Sequence, residues 1–351
     1  TSFAQKPLFA ALDGCGGMGN THDKPFEFIV DPGLKGAAPM QILRHFDDIA
    51  PALKGAVYAI GNFDGVHIGH QQVIARTAAI AKELGAPTGV LMFEPHPRQY
   101  FFPDQPFFRL MSFRAKTRTL GEIGVDQIAA LPFDTRMATM EAEDFVRNVL
   151  VDGLGAAHIV VGYDFCFGKG RRGDGALLRR MGEELGFGVT IVEEVKKGGD
   201  TYSSTRIREL LAKGDPRGAA DLLGHWWTIE THVIKGDQRG RTIGFPTANL
   251  SLEGHLEPAF GVYAVKVEIE DGPHKGTYDG VANVGRRPTF DKEDVLLEVH
   301  IFDFEGDIYG AHLAVSFIDF LRPEQKFDGL ESLKAQIAAD SGKARTLLSA
   351  L

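Results

Sequence analysis

The chain has 351 residues, of which 44% are hydrophobic and 24% are charged, as expected for a soluble globular protein with room for two domains. Its formal net charge is -9, which excludes an overall positive field that would attract nucleic acid or an anionic membrane. Its two cysteines, Cys15 and Cys166, exclude a disulfide framework and a cysteine-rich zinc site. Because no apolar run reaches membrane-spanning length and no secretory signal is recognisable, we expect a cytoplasmic protein.

The first segment, residues 1–38, is interrupted by glycine and proline and shows no sustained periodicity. We predict a poorly ordered extension there and assign it no function. A literal GxGxxG match runs from Gly14 to Gly19, but Pro25 and the polar residues around it oppose a helix. A flexible loop is therefore favoured over a dinucleotide site.

Residues 39–224 alternate between apolar runs and helix-like stretches. The runs "VYAIG", "TGVLMF", "QIAALPF" and "AHIVVG" are separated by segments such as "HQQVIARTAAIAKELG", which ends with a glycine suited to a C-cap. Continuous apolar strands that alternate with helices predict a parallel sheet covered on both faces.

Residues 225–351 have a different character. "GVYAVKVEIEDG" alternates apolar and charged residues with a period of two, and "VLLEVHIFDF" and "AHLAVSFIDF" repeat the strand pattern. The only clear late helix is "DGLESLKAQIAAD". The pattern predicts a small antiparallel barrel or sandwich capped by a helix, with the domain boundary near residues 222–227.

The stretch "NFDGVHIGHQQ" leads from a predicted strand into a predicted helix. If the helix begins near Ile68, His67 and His70 face one side close to its positive end, which suits a phosphate. The alternative is two ordinary surface histidines. Gly61, just before the stretch, and Gly65 permit a tight turn, and Gly69 leaves room for a phosphate. Asn62 and Asp64 could fix the turn or touch the nucleotide.

Two later segments offer further anion-binding groups, although no Walker-type GxxxxGK[ST] motif occurs. "GKGRRGD" supplies Lys169 and Arg171 directly after a predicted strand, where a solvated loop is the alternative. "YSSTRIRELL" supplies Ser204, Thr205 and Arg208 at a predicted helix start, where ordinary capping is the alternative.

The second half carries oxygen ligands and a candidate base. Thr247 and Asn249 follow the rigid Pro246 and offer hard oxygens suited to magnesium and phosphates, although a plain proline turn is the alternative. In "LLEVHIFDF", Glu298 and His300 share one face of a strand whose other face is apolar. Glu298 is therefore a candidate general base, the alternative being an exposed strand residue.

Taken in order, "GNFDGVHIGHQ", "FEPHP", "VGYDFCFGKGRRGD" and "SSTRIREL" resemble the adenylyltransferase module of bacterial bifunctional FAD synthetases. "GRTIGFPTANL", "GVYAV", "GVANVGRRPTF", "LEVHIFDF" and "FLRPEQKFDGLESLKAQIAAD" resemble the riboflavin kinase module of the same family. The resemblance runs from about residue 40 to the C-terminus. It implies a Rossmann-like nucleotidylyltransferase domain with a parallel sheet, followed by a small antiparallel β-barrel kinase domain with a C-terminal helix.

The resemblance also implies the chemistry: phosphorylation of riboflavin to FMN, then adenylylation of FMN to FAD with release of pyrophosphate, with ATP as co-substrate and Mg²⁺ as cofactor. It makes His67, His70 and Glu298 catalytic, Asn283 and Arg322 flavin-binding, and Thr247 and Asn249 metal-binding. The nucleotide- and phosphate-binding residues are then Asn62, Asp64, Gly69, His96, Asp164, Lys169, Arg171, Ser204, Thr205, Arg208, Gly244, Thr247 and Asn249.

Three other functions remain open on sequence grounds. Only one module could be active, or the chain could be a flavin or nucleotide sensor without turnover. A flavoprotein oxidoreductase is disfavoured, since neither a nicotinamide fingerprint nor a redox cysteine pair is found. The expected partners are riboflavin, FMN and ATP, without nucleic acid or membrane, and a homo-oligomer is left open.

Overall fold

The computed structural model describes residues 40–106, 108–194, 196–197, 200–235, 244–288 and 293–351. The extension predicted for residues 1–38, with its GxGxxG match, lies outside these residues. Within them, no helix is both long enough and apolar enough to cross a membrane.

The first half contains eight strands and eight α-helices in the described residues, with short 3-10 turns at Pro51–Leu53 and Lys169–Arg171. The elements are β1 (Gln41–Leu43), β2 (Val57–Ile60), α1 (Ile68–Leu84), β3 (Thr88–Phe93), α2 (Pro97–Phe101), α3 (Phe113–Glu122), β4 (Gln127–Leu131), α4 (Thr135–Thr139), α5 (Ala142–Asp144) with a π-helix over Phe145–Gly153, β5 (His158–Gly162), α6 (Gly175–Leu185), β6 (Gly188–Val192), β7 (Lys196–Lys197), β8 (Asp200–Thr201), α7 (Ser204–Ala212) and α8 (Pro216–Leu223).

The second half follows directly. Its elements are β9 (Thr228–Ile234), β10 (Ala248–Ser251), β11 (Gly261–Ile269), β12 (Gly276–Pro288), β13 (Glu293–Ile301), β14 (His312–Pro323) and α9 (Leu330–Leu348).

Six parallel strands form one sheet in the order β1-β4-β3-β2-β5-β6. Every residue of β2 and β4 is buried, because core clusters lie on both faces of the sheet. The parallel, doubly covered sheet predicted from the apolar runs is therefore confirmed. After β2 the chain adds β3 on one side of β2 and later adds β5 on the other side, so the strand order reverses between β2 and β5. Ligands of such sheets bind outside the carboxyl ends of the strands at this switch point.

The last six strands close into an antiparallel barrel in the order β10-β13-β12-β11-β14-β9. Alternate residues such as Tyr263, Val265 and Leu297 fill the interior. On the outer surface, Val262 and Ile318 belong to a separate cluster with residues of α9. The predicted antiparallel barrel with its C-terminal helix is confirmed.

The two halves share one hydrophobic cluster. Leu211 of α7 and Leu223 of α8 belong to the same buried cluster as Phe317 and the rest of the barrel interior. Trp227, at the start of the barrel, donates its indole N–H to the carbonyl oxygen of Leu110 over 2.9 Å. The barrel therefore supports the segment next to the carboxyl edge of the sheet.

Candidate active sites

The turn between β2 and α1 has a constrained backbone. Gly65 has φ +85°, and a Cβ there would lie 2.9 Å from Leu110 Cδ1, so only glycine fits. Phe63 and Val66 also have positive φ values, 49° and 41°, which are unfavourable for bulky side chains. Such strain concentrates at functional sites, which supports a functional role for this turn.

His67 and His70 are brought together as predicted. His67 is the N-cap of α1, where its Nδ1 accepts a hydrogen bond from the backbone N–H of His70 over 3.3 Å. The two rings stack with centroids 3.5 Å apart. Burial, then Arg208 and His225, lower the pKa of His67 to about 4. Burial, then His67 and Lys116, place the pKa of His70 well below its usual value, so both imidazoles are neutral.

Asp64 joins this turn to α7. Its carboxylate accepts from the Leu110 N–H over 3.0 Å and from the Arg208 guanidinium over 2.5 Å. Ser204 Oγ donates to the Asp64 carbonyl oxygen over 2.9 Å, while Ser203 caps α7. Ser204 and Arg208 therefore lie beside the His67–His70 turn, as the sequence predicted for a shared anion site.

His96 follows the carboxyl end of β3, the strand next to β2, at the edge of the sheet that carries the His67–His70 turn. It caps α2, where its Nδ1 accepts from the Arg98 N–H over 3.0 Å, and its ring packs edge-on against Phe108. Burial first, then Lys116 and three arginines, lower the pKa of His96 to about 3. Phe108 also carries the Arg208 guanidinium over its ring, so it contacts both His96 and Arg208. We refer to the edge of the sheet around these three residues and the His67–His70 turn as the cleft.

Sequence reasoning missed two cations of this cleft. Lys116 of α3 is 4% exposed, and its Nζ donates to the Asn62 carbonyl oxygen over 2.8 Å. Arg109 pairs with Glu94 over 2.6 Å. A lysine among the buried residues of an amphipathic helix is a signal that could have pointed to Lys116.

Four predicted residues of the sheet half are exposed. Asp164, Lys169 and Arg171 follow the carboxyl end of β5, which neighbours β2, but their side chains face solvent and Lys169 pairs with Glu141 over 3.2 Å. Thr205 is exposed on the first turn of α7. The structure places all four near the carboxyl edge of the sheet without contact to the His67–His70 turn in the described interactions.

A row of polar residues crosses the outer face of the barrel. Glu298 of β13 lies directly opposite Asn249 of β10 on one side and Asn283 of β12 on the other. Asn283 lies opposite the apolar Val262 of β11, and Val262 in turn lies opposite Arg322 of β14. Side chains opposite each other in antiparallel strands point the same way and lie about 5 Å apart at Cβ. The predicted base and the predicted ligands Asn249, Asn283 and Arg322 therefore share one face.

The predicted phosphate-binding turn lies at one end of this barrel. Gly244 is exposed with φ +88°, and Thr247 lines a cavity of about 240 Å³ together with the segment 304–309. His300, which the sequence analysis gave no role, has its Nδ1 2.8 Å from the Pro246 carbonyl oxygen. Nδ1 therefore donates the hydrogen bond that fixes this turn to β13.

Arg322 is held by the C-terminal helix. Its Nε and Nη2 both lie 2.9 Å from Asp340 Oδ2 of α9, and Gln336 donates to the same carboxylate. Two guanidinium N–H groups held by one carboxylate fix the plane of the guanidinium. The C-terminal helix thus determines where Arg322 projects beside the Glu298 row.

Comparisons with known proteins agree with both halves. Residues 49–206 match a family model described as FAD synthetase, and residues 223–348 match one described as riboflavin kinase. The bifunctional riboflavin kinase/FMN adenylyltransferase of Pseudomonas fluorescens is 43% identical, covering 88% of this chain and 98% of that protein. The chain belongs to this bifunctional family.

Other relatives extend the comparison. The bifunctional riboflavin kinase/FMN adenylyltransferase of Escherichia coli K12 is 41% identical, covering 87% of this chain and 97% of that protein. A crystal structure of a protein described as a macrolide-efflux protein from Streptococcus pneumoniae is 33% identical with a TM-score of 0.78, covering 88% of this chain and 99% of that chain. The resemblance seen in the sequence motifs is confirmed.

Proposed function

We propose that the chain makes FAD from riboflavin in two steps, with the kinase step at the Glu298 row of the barrel and the adenylyl step at the His67–His70 turn. The chain is a riboflavin kinase and an FMN adenylyltransferase, and ATP is the co-substrate of both activities. We place the division between the two modules at residues 224 and 225, after α8.

At the adenylyl site, an oxygen of the FMN phosphate attacks the α-phosphorus of ATP, and pyrophosphate leaves. The nucleophile is already an anion, so the step needs alignment and charge stabilisation more than a base. The N-terminus of α1 presents backbone N–H groups to the ATP phosphates, and His67 and His70 donate to them as neutral imidazoles. Arg208 and Ser204 hold the turn in place through Asp64.

At the kinase site, the primary hydroxyl of riboflavin must lose a proton to become a good nucleophile. Glu298 projects from the outer face of the barrel and accepts that proton as the hydroxyl attacks the γ-phosphorus of ATP. The bond from that phosphorus to the β–γ bridging oxygen breaks, and ADP leaves. Asn283 and Arg322, in the same cross-strand row, bind the flavin. Gly244 and Thr247 bind the ATP phosphates beside the cavity.

The oxygen donors of the kinase site fit a magnesium ion. The Thr247 hydroxyl, the Asn249 amide oxygen and the neighbouring Glu298 carboxylate are hard ligands, and Mg²⁺ takes few protein oxygens in addition to phosphate. We assign Thr247 and Asn249 as the residues that hold it. When bound, the ion would neutralise negative charge on the phosphoryl group that is transferred.

The observation that carries this division is that the two candidate sites lie on different folds. One is at the switch point of a parallel sheet, and the other is on the outer face of a closed barrel. A substitution in one site should therefore spare the other reaction. The same chain then provides the internal control for folding.

The test uses Glu298→Gln and His70→Ala, each incubated with Mg-ATP and either riboflavin or FMN, with products separated by chromatography. We expect Glu298→Gln to lose FMN formation by about 10²-fold or more while still converting FMN to FAD. His70→Ala should accumulate FMN and lose FAD formation by about 10²-fold or more. If Glu298→Gln still forms FMN at the normal rate, the kinase assignment fails, and binding without turnover by the unaltered chain would favour a sensor.

A further inference from the structure

One buried cation of the adenylyl cleft has no part in the function described so far. Lys116 lies on α3, a helix capped by Ser112, and its side chain is 4% exposed. Its Nζ donates to the carbonyl oxygen of Asn62, in the β2–α1 turn, over 2.8 Å. The ammonium group therefore lies at the entrance to the His67–His70 turn.

The other buried cations of the cleft have carboxylate partners. Arg208 pairs with Asp64, and Arg109 pairs with Glu94. In the described part of the chain, the Lys116 ammonium makes one hydrogen bond, to Asn62, and no ion pair. Asp64 and Glu94 act on this ammonium only at a distance, and burying an ammonium without a direct ion pair is costly. Its position here therefore indicates an anionic partner that joins the site.

The electrostatic neighbours of Lys116 locate that partner. The Lys116 charge contributes to the lowered pKa of both His70 and His96, so the ammonium lies near both rings. The Asp64 and Glu94 carboxylates favour its charged form, although burial, the largest effect, lowers the pKa of Lys116. Among the residues that the structure describes, two of its three N–H groups have no acceptor and are available to a ligand.

We infer that Lys116 is a further catalytic residue of adenylyl transfer, contacting the non-bridging oxygens of the α-phosphoryl group. In this step an FMN phosphate oxygen forms a bond to the α-phosphorus, the bond from that phosphorus to the α–β bridging oxygen breaks, and pyrophosphate leaves with the electron pair. No proton has to move. The inference rests on the proposed adenylyl site at the His67–His70 turn.

The reason a lysine is needed is that the two histidines of the turn are neutral. Neutral imidazoles donate hydrogen bonds but carry no charge to offset the charge that builds on the equatorial oxygens. A preorganised ammonium in a buried site supplies that charge without reorganisation. Removing one such donor typically costs about 10²–10³-fold in kcat.

The test compares Lys116→Met, which removes both charge and donor, with Lys116→Gln, which keeps a donor for the Asn62 carbonyl without the charge. Arg114→Met is the matched control, because it removes an exposed cation from the same helix. Each full-length variant is assayed for FAD formation from FMN, for dissociation constants of FMN and ATP, and for riboflavin phosphorylation. His70→Ala is assayed in parallel.

We expect both Lys116 variants to lose at least 10²-fold in kcat for FAD formation, with dissociation constants changed less than about 3-fold and riboflavin phosphorylation unchanged. Arg114→Met should retain FAD formation. If Lys116→Gln keeps normal kcat, or if both Lys116 variants lose riboflavin phosphorylation equally, the residue is structural and the inference is wrong. If His70→Ala also keeps FAD formation, the proposed adenylyl site itself is wrong.

Discussion

His67 and His70 illustrate how a site can bind phosphates with neutral imidazoles. Burial at the start of α1 withdraws both rings from water, so the protonated forms are disfavoured. The helix N-terminus adds partial positive charge, which disfavours protonation further and attracts an anion instead. The turn is therefore arranged to receive negative charge from the nucleotide.

The lowered pKa of His67 makes stability depend on pH. Its pKa is about 4 in the folded chain and 6.5 in the unfolded chain, so the unfolded state binds a proton first as the pH falls. The stabilisation is complete above about pH 6.5 and is lost between pH 6.5 and pH 4. His67→Asn keeps an N-cap acceptor and removes the titrating group. Between pH 7 and pH 5, the free energy of unfolding should therefore fall by up to about 2 kcal/mol less in His67→Asn than in the original protein.

Urea unfolding of both proteins at pH 7 and pH 5 measures this difference. The buried histidines other than His70 titrate equally in the two proteins and cancel, and burial, the largest effect on the pKa of His70, is kept in His67→Asn. Equal losses of unfolding free energy in the original protein and in His67→Asn would show that His67 is not held neutral.

At this scale the sequence predicted residues that lie in local motifs. His67, His70, Asp64 and Glu298 could be proposed from sequence because a turn or a strand of a few residues places them by local geometry alone. Lys116 and His300 could not, because the contacts that suggest their roles are to residues 54 positions away, Asn62 and Pro246 respectively.

Strand β13 is the element on which the kinase half depends. Its inward residues fill the barrel, its outward Glu298 faces the polar row, and His300 fixes the turn that carries Thr247. One strand therefore sets the distance between the proposed base and the proposed phosphate-binding turn.

His300→Ala should disturb that turn without removing a group that contacts the reacting atoms. We expect the KM for ATP in riboflavin phosphorylation to rise about 3- to 10-fold with kcat changed less, since one hydrogen bond contributes about 1 kcal/mol. His45→Ala, at an exposed residue of the sheet half, is the control. Steady-state kinetics at saturating riboflavin measures both constants, and an unchanged KM would remove the positioning role of His300.

The types of secondary-structure element were predictable from the periodicity of the sequence, but the closure of the last six strands into a barrel was not. The alternating strands left a barrel and a sandwich equally open, because both satisfy a period of two. Closure depends on β9 pairing with β10 on one edge and β14 on the other, a set of long-range hydrogen bonds that no local pattern contains.

On the scale of the whole molecule, α3 connects the two halves. Arg114 and Arg118, one turn apart, reach across to Glu270, and Arg118 also pairs with the buried Glu230 of the barrel. Lys116, between them in sequence, points into the adenylyl cleft. The sequence predicted two modules of different type, but their shared core and this bridge arise only from tertiary packing.

The central claim is that the chain holds two independent nucleotide sites, and equilibrium dialysis with β,γ-methylene ATP and Mg²⁺ in the absence of flavin counts them directly. We expect two bound nucleotides per chain at saturation. Gly69→Val crowds the His67 ring, and Thr247→Phe fills the barrel cavity, so each should leave one site, which also shows that the variant is folded. One site in the unaltered chain, or loss of both sites from either substitution, would contradict the account.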